Sequence, residues 1–124
     1  MSTERTEEKP KVLIVEDDKA WSELIRRGLG DKVLILFAHS LAEGEEVFRK
    51  NLDIDLIIMD ACVPGDKPNA QFLVRDIRKT FTGPIIAMSS MPTYRKVLLA
   101  AGCDYEVEEK AQAAKRALEL LGIS

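Results

Sequence analysis

Four short apolar runs constrain the fold of this chain more than any other feature of its sequence. They are Val12–Val15, Val33–Phe37, Leu56–Met59 and Ile85–Met88. Each run contains β-branched residues and lacks the alternation of apolar and polar side chains seen in half-exposed strands, which is typical of strands covered on both faces. Each is also far shorter than the roughly 20 residues that a membrane-spanning helix needs.

The segments between these runs have the spacing of amphipathic helices. Apolar side chains recur on one face in three of them: Trp21, Leu24, Ile25 and Leu29; Leu73, Val74, Ile77 and Phe81; and Ala114, Ala117, Leu118 and Leu121. Ser40 followed by Glu43 predicts a capping box for a helix beginning near Leu41. Pro92 and Gly102 predict the first turn and the end of another helix.

Five strands therefore alternate with five helices along the chain. The fifth strand, Asp104 to Val107, has charges at alternate positions, so we expect it at an edge of the sheet. Short connections favour parallel strands joined by right-handed crossovers. The predicted fold is α/β: a doubly wound, five-stranded parallel sheet in the flavodoxin-like order 2-1-3-4-5, with helices on both faces.

Composition narrows the class of protein further. A chain of 124 residues with 46% hydrophobic content fits one domain, and the polar residues 1–10 are predicted to be a disordered leader before a domain spanning 11–124. The net charge of −3 leaves no basic excess for direct nucleic-acid binding. Cys62 and Cys103 lie far apart without metal-ligand spacing, which favours reduced thiols and a cytoplasmic location. The short apolar runs argue against insertion into a membrane.

Three acidic residues follow two strands that are neighbours in this order. Glu16 and Asp17 come directly after the first strand, and Asp60 ends the third. The carboxyl ends of adjacent parallel strands meet at one edge of the sheet, where such folds bind ligands. Three carboxylates at one point repel each other unless a cation is bound, and hard oxygen ligands suit Mg²⁺. Asp18, by contrast, is expected only to cap the first helix.

Four motifs resemble the receiver domain of two-component response regulators. They are KVLIVEDD at 11–18, DLIIMDACVPG at 55–65, PIIAMSS at 84–90, and AGCD at 101–104. The resemblance implies that Asp60 accepts a phosphoryl group from a sensor histidine kinase or a phosphotransfer protein. It also implies that Mg²⁺ is bound directly by Asp17 and Asp60, through water by Glu16, and by the backbone carbonyl of Cys62. Ser89 occupies the place of the hydroxyl residue that hydrogen-bonds the phosphoryl group.

The resemblance does not assign two further residues of receivers, the lysine after the fifth strand and the aromatic switch residue, to one position each. Receivers carry a lysine after the fifth strand, and counting without gaps places Glu109 there, with Lys110 one residue beyond. We favour Lys110 as the lysine that pairs with the phosphoryl oxygens, because its stem is long and flexible. The aromatic switch residue is also open, because ungapped counting gives Glu106 whereas Tyr105 lies beside it.

The sequence thus predicts a phosphorylation-dependent signalling switch rather than an enzyme, with activity limited to self-phosphorylation from small donors and self-dephosphorylation. We expect its output to be contact with a downstream protein through the face of helix 4, strand 5 and helix 5. Phosphorylation-dependent dimerisation is left open. The alternative is a pseudo-receiver that is not phosphorylated, which a glutamate at position 109 and the open identity of the aromatic switch residue would favour. A metal-dependent hydrolase is a weaker reading, because no general acid is evident.

Two other residues receive structural interpretations from their positions. Trp21 lies on the apolar stripe of the first predicted helix and is expected in the core. His39 follows the second strand without a cysteine or acid at ligand spacing, so we expect a surface-loop residue without a catalytic role.

Overall fold

The computed structural model describes residues 9–123, and the predicted leader at 1–10 lies mostly outside the described residues. Five parallel strands form one sheet in the order β2-β1-β3-β4-β5. The strands are β1 (Lys11–Val15), β2 (Leu34–Ala38), β3 (Leu56–Asp60), β4 (Ile85–Met88) and β5 (Tyr105–Val107). The predicted fold class and strand order are confirmed, and β5 lies at an edge as expected.

Five α-helices connect the strands or follow the last of them. They are α1 (Lys19–Leu29), α2 (Leu41–Lys50), α3 (Gln71–Ile77), α4 (Pro92–Ala101) and α5 (Ala113–Leu120). A single 3₁₀ turn, Lys110–Gln112, precedes α5. Within residues 9–123, no helix is both long and apolar enough to span a membrane.

Burial follows the position of each strand in the sheet. The side chains of β3 and β4 are entirely buried, and those of β1 are buried from Val12 onward. Alternate residues of a strand face opposite sides, so Leu13 and Ile57 enter one core cluster while Ile14 and Ile58 enter the other. The β2 strand begins one residue later than predicted and is half-exposed, because it lies at the other edge of the sheet.

Local capping fixes where α1 and α2 begin. The Asp18 carboxylate accepts hydrogen bonds from the backbone N–H groups of Ala20 (2.8 Å) and Trp21 (3.1 Å), which confirms its predicted capping role. Ser40 caps α2 by accepting from the Glu43 N–H at 3.1 Å. The return bond of the predicted capping box differs, because the Glu43 carboxylate accepts from the His39 N–H at 2.6 Å.

Helix α1 packs closely against α5 at Gly28. A Cβ atom at this glycine would lie 2.6 Å from the Cβ of Ala114, well inside normal contact distance. This close approach matters for the carboxyl edge of the sheet, since the 3₁₀ turn leading into α5 also lies against α1.

We predict that Gly28→Ala destabilises the protein by about 1–3 kcal/mol, because the added methyl group forces α1 and α5 apart. This reverses the usual effect in a helix, where alanine is more stable than glycine by about 1 kcal/mol. Urea unfolding measures the difference. Arg27→Ala, at the neighbouring exposed position, is the control and should change the free energy of unfolding by at most about 0.5 kcal/mol. A Gly28→Ala protein more stable than the parent would contradict the packing.

Candidate functional site

The three predicted acidic residues converge at the carboxyl edge of the sheet. Strands β1 and β3 pair in parallel, with Val15 opposite Met59, so the residues that follow them come together. Glu16, Asp17 and Asp60 each offer a carboxylate oxygen, and these oxygens lie within 4.8 Å of one another. Glu16 is fully buried and Asp60 is 6% exposed, whereas Asp17 is half-buried.

These acids line an open cavity of about 390 Å³. Loops that follow β1, β3 and β4 form its walls, and the 3₁₀ turn supplies one further side chain. Six of the residues singled out from the sequence line it: Glu16, Asp17, Asp60, Cys62, Ser89 and Lys110. The cavity is therefore the place where the proposed phosphoacceptor, metal ligands and phosphate-binding groups meet.

The lysine that reaches this cavity is Lys110. Its Nζ lies 2.7 Å from Oε1 of Glu16 and 3.4 Å from Oδ2 of Asp60. Glu109 does not line the cavity and instead caps the 3₁₀ turn, where its side chain and that of Gln112 each accept from the other's backbone. Ungapped counting fails here because β5 ends at Val107 and the chain turns before the lysine.

Burial raises the pKa values of the two buried acids, and for Glu16 the neighbouring like charge adds to the shift. The pKa of Glu16 rises from 4.5 to about 7, chiefly because the side chain is buried, with Asp60 adding repulsion and Lys110 opposing the shift. Burial also raises the pKa of Asp60, again against the attraction of Lys110. Burial lowers the pKa of Lys110, but the hydrogen bond and charges of the two acids outweigh it and leave that pKa raised.

The donor set fits a hard divalent cation. The cluster holds three carboxylates and the ammonium group of Lys110, which lies against Glu16 and Asp60, so negative charge is left uncompensated when all of the acids are ionised. Carboxylate oxygens at this separation suit Mg²⁺ or Ca²⁺, both of which prefer oxygen ligands. Burial and the nearby Asp60 raise the pKa of the Cys62 thiol, which keeps it protonated and unsuited as a thiolate ligand. A contribution from the Cys62 backbone carbonyl stays a prediction.

Ser89 follows β4 and faces the same cavity. It is 8% exposed, and its Oγ accepts a hydrogen bond from the Met91 N–H at 3.1 Å. A hydroxyl that accepts one bond still has its own proton to donate. Ser89 is therefore placed to donate a hydrogen bond to an acceptor in the cavity.

The expectation that Trp21 lies in the core is wrong. Its side chain is 38% exposed and lines the cavity, and the Lys110 Nζ lies 5.6 Å from the centre of its ring. The buried residues of α1 are Ser22, Ile25 and Leu29. Trp21 falls in the first turn of α1, beside the carboxyl edge of the sheet, so its ring packs against the lysine instead of the core.

Three more residues contact the site without having been singled out as functional. The His39 ring donates from Nδ1 to the Glu16 carbonyl oxygen at 2.9 Å. Tyr94 and Arg95 on α4 reach the loops that follow β3 and β4, respectively. The sequence carries one weak signal for them, since all three lie just beyond the carboxyl ends of strands or on the helix that follows.

The two candidate switch positions on β5 have different partners. The Glu106 carboxylate pairs with Arg95 at 2.6 Å, whereas the ring of Tyr105 lies 4.9 Å beneath the guanidinium of Arg116. An aromatic switch at Tyr105 stays a prediction.

Comparison with solved structures identifies the class of fold. A two-component response regulator from Clostridium difficile superposes with a TM-score of 0.78 at 22% identity, covering 92% of this chain and 97% of that one. A putative response regulator from Chloroflexus aurantiacus gives 0.78 at 24%, covering 93% and 99%. The chain therefore has the fold of response-regulator receiver domains. No protein-family model matches its sequence, and no curated protein does so either.

Another similar structure contains a phosphorylated aspartic acid and a calcium ion. A response regulator from Burkholderia pseudomallei, solved with a phosphorylated aspartic acid, a calcium ion and citrate, gives a TM-score of 0.76 at 15% identity. The match covers 91% of this chain and 66% of that one.

The raised pKa of Glu16 predicts how stability depends on pH in the metal-free protein. The folded state holds a proton on Glu16 that the unfolded state has released, so the free energy of unfolding falls as pH rises from about 4.5 to about 7. Glu16→Gln should remove this loss and be more stable than the parent at pH 8, by about 1–3 kcal/mol. Urea unfolding in EDTA across this range measures both.

The matched control is Glu45→Gln, which removes an exposed carboxylate of a surface ion pair. Its pH dependence should follow that of the parent protein. A Glu16→Gln variant that is less stable than the parent at pH 8 would contradict the raised pKa.

Proposed function

We propose that the protein is a signalling switch that accepts a phosphoryl group on Asp60. One observation carries the proposal: Asp60 lies beside two other acids at an open cavity, and Lys110 and Ser89 line the same cavity. Together these residues supply what phosphoryl transfer to a carboxylate requires: a nucleophile, a cation site, a positive side chain and a hydroxyl donor. The receiver fold supports the same conclusion.

In the transfer step, a carboxylate oxygen of Asp60 attacks the phosphorus atom in line with the leaving group. A P–O bond to Asp60 forms as the bond between phosphorus and the donor breaks, and the leaving group keeps that electron pair. The donor is a phosphohistidine of a sensor kinase or phosphotransfer protein. Consistent with such a partner, the receiver domain of the yeast regulator Ssk1, solved with the phosphotransfer protein Ypd1, superposes at a TM-score of 0.74 and 18% identity.

The resident cation of this site is proposed to be Mg²⁺, held by Asp17 and Asp60, through water by Glu16, and by the Cys62 carbonyl. When bound, it would neutralise negative charge on the transferring oxygens. The calcium ion recorded with the Burkholderia regulator supports a divalent cation in a site of this kind.

Two side chains of the chain then hold the new phosphoryl group. Lys110 already lies within 3.4 Å of Asp60, so its ammonium can pair with phosphoryl oxygens by a small movement. Ser89 donates its hydroxyl proton to another oxygen. Both interactions strengthen as charge develops on the transferring group, and they therefore accelerate the transfer as well as stabilise its product.

The output is proposed to be protein–protein contact through the face of α4, β5 and α5, in the cytoplasm and without enzymatic action on another substrate. Phosphorylation would shift the protein between two conformations, and a partner would bind one of them more tightly. The same face could join two copies of the chain after phosphorylation.

The pseudo-receiver alternative loses its main support from the placement of Glu109. That alternative depended on a glutamate entering the phosphate-binding pocket, and Glu109 caps the 3₁₀ turn outside it. The site has a lysine near its phosphoacceptor and a buried cluster of acids, which favours phosphorylation.

The test is intact mass after incubation with acetyl phosphate, with and without Mg²⁺. We expect the gain of one phosphoryl group, dependent on Mg²⁺ and absent from Asp60→Asn. Glu109→Gln is the matched control, since it removes a carboxylate outside the cavity, and it should behave like the parent. If phosphoramidate, whose P–N bond mimics phosphohistidine, also leaves the parent unmodified, the proposal is wrong and the pseudo-receiver alternative is favoured.

We predict that Lys110→Met slows phosphorylation by acetyl phosphate roughly tenfold to a hundredfold, because a positive group facing the transferring oxygens is lost. The same change should strengthen Mg²⁺ binding, since the ammonium no longer competes for Glu16. Quench-flow mass measurements give the rate, and calorimetry gives the affinity. An unchanged rate at saturating Mg²⁺ would remove Lys110 from the proposed mechanism.

A further inference from the structure

Two adjacent residues of helix α4 contact two of the loops that border the cavity, those that follow β3 and β4. The Tyr94 hydroxyl donates to the Asp66 carbonyl oxygen at 2.9 Å, in the loop between β3 and α3. Arg95 reaches the other loop, where its Nη1 donates to the Ser89 carbonyl oxygen at 2.8 Å. The orientation of α4 is thus tied to the loop that follows the proposed phosphoacceptor strand and to the loop that holds Ser89.

Arg95 has a second partner on the edge strand. Its Nε donates to Oε1 of Glu106 at 2.6 Å. Arg95 itself is 9% exposed, whereas the Glu106 side chain is 45% exposed. A buried guanidinium is costly unless its donors are satisfied, and its planar fork accommodates two acceptors at fixed angles. Arg95 therefore joins Ser89 and Glu106 rigidly, and neither partner can move far without disturbing the other.

Ser89 is consequently held at its carbonyl and at its hydroxyl oxygen, in addition to the bond that its N–H donates to the Val107 carbonyl oxygen at 3.3 Å. Its carbonyl accepts from Arg95, and its hydroxyl oxygen accepts from the Met91 N–H. With the carbonyl and Oγ both fixed, the hydroxyl proton is what remains to be directed at an acceptor. A donor held in this way before reaction needs no reorganisation when the phosphoryl group arrives.

We propose that Arg95 is a positioning residue for phosphoryl transfer, which holds Ser89 in place while Glu106 on β5 holds Arg95. This inference rests on the proposed function, since it assigns the support of the Ser89 hydroxyl in that reaction. It also implies that the carboxylate of Glu106, exposed on β5, is coupled to the site through the Arg95 side chain. Any partner that binds Glu106 would then alter how well Ser89 is held.

The rate of phosphorylation by acetyl phosphate at saturating Mg²⁺ tests the proposal. We expect Arg95→Met to slow it on the order of fivefold, the size that one net hydrogen bond supports, and Ser89→Ala to slow it similarly. Combining the two should cause no further slowing, because both remove the same interaction. Arg95→Lys should recover part of the rate, and Glu106→Gln should show a smaller loss.

Two controls separate positioning from general damage to the fold. Arg49→Met breaks a surface ion pair with Glu45 and should leave the rate unchanged. Mg²⁺ affinity, measured by calorimetry, should stay within about twofold of the parent in every variant, because none of the changed residues is a proposed metal ligand. If Arg95→Met does not fold, Glu106→Gln in the parent and in Ser89→Ala provides the same comparison.

Three outcomes would overturn the proposal. They are a parental rate in Arg95→Met, a double variant slowed by the product of the two single effects, or an Mg²⁺ affinity in Arg95→Met that differs from the parent by more than about twofold. If the parent protein is never phosphorylated, the proposed function fails. The support of Ser89 by Arg95 is then tested by amide hydrogen exchange. The Met91 amide should then exchange faster in Arg95→Met than in Arg49→Met, and equal rates would show that Arg95 does not hold this loop.

Discussion

The repulsion among Glu16, Asp17 and Asp60 is the interaction around which this site is organised. The parallel pairing of β1 and β3 brings the carboxylates together, and burial makes the charges of Glu16 and Asp60 costly. Lys110 offsets part of this cost in the structure, and a divalent cation would offset the rest. Because the buried charges repel each other, adding a cation or a phosphoryl group changes the electrostatic energy of the cluster strongly. The proposed switch depends on such a change.

Several elements outside the acidic cluster place the Lys110 ammonium beside Glu16. Its ammonium reaches Glu16 because the chain leaves β5, turns at a cap formed by Glu109 and enters the 3₁₀ turn close to α1. The absence of a side chain at Gly28 lets α5 approach α1, and the Trp21 ring packs beside the lysine. The cap at Glu109 and the close packing at Gly28 therefore help to determine whether the Lys110 ammonium reaches the acidic cluster.

Hydrophobic patterning predicted the fold because the strand pattern is local and repeated, and the meeting of the three acids followed from strand order. Positions that depend on where a strand stops were harder to predict. Glu109 and Lys110 differ by one residue, and only the early end of β5 distinguishes them. Trp21 carried the periodicity of a core residue, yet it lies where the helix passes beyond the sheet edge. Arg95 carried only the weak signal of its place on the helix that follows β4, since its contacts with Ser89 and Glu106 depend on how that helix packs.

The most direct test of the account is to locate the phosphoryl group on the chain. Borohydride reduces an aspartyl phosphate to homoserine, so treatment after incubation with acetyl phosphate and Mg²⁺ marks the acceptor for peptide sequencing. We predict homoserine at position 60 and at no other position in the chain. Phosphate recovered on Ser89 or His39, or modification at Asp17 instead of Asp60, would contradict it.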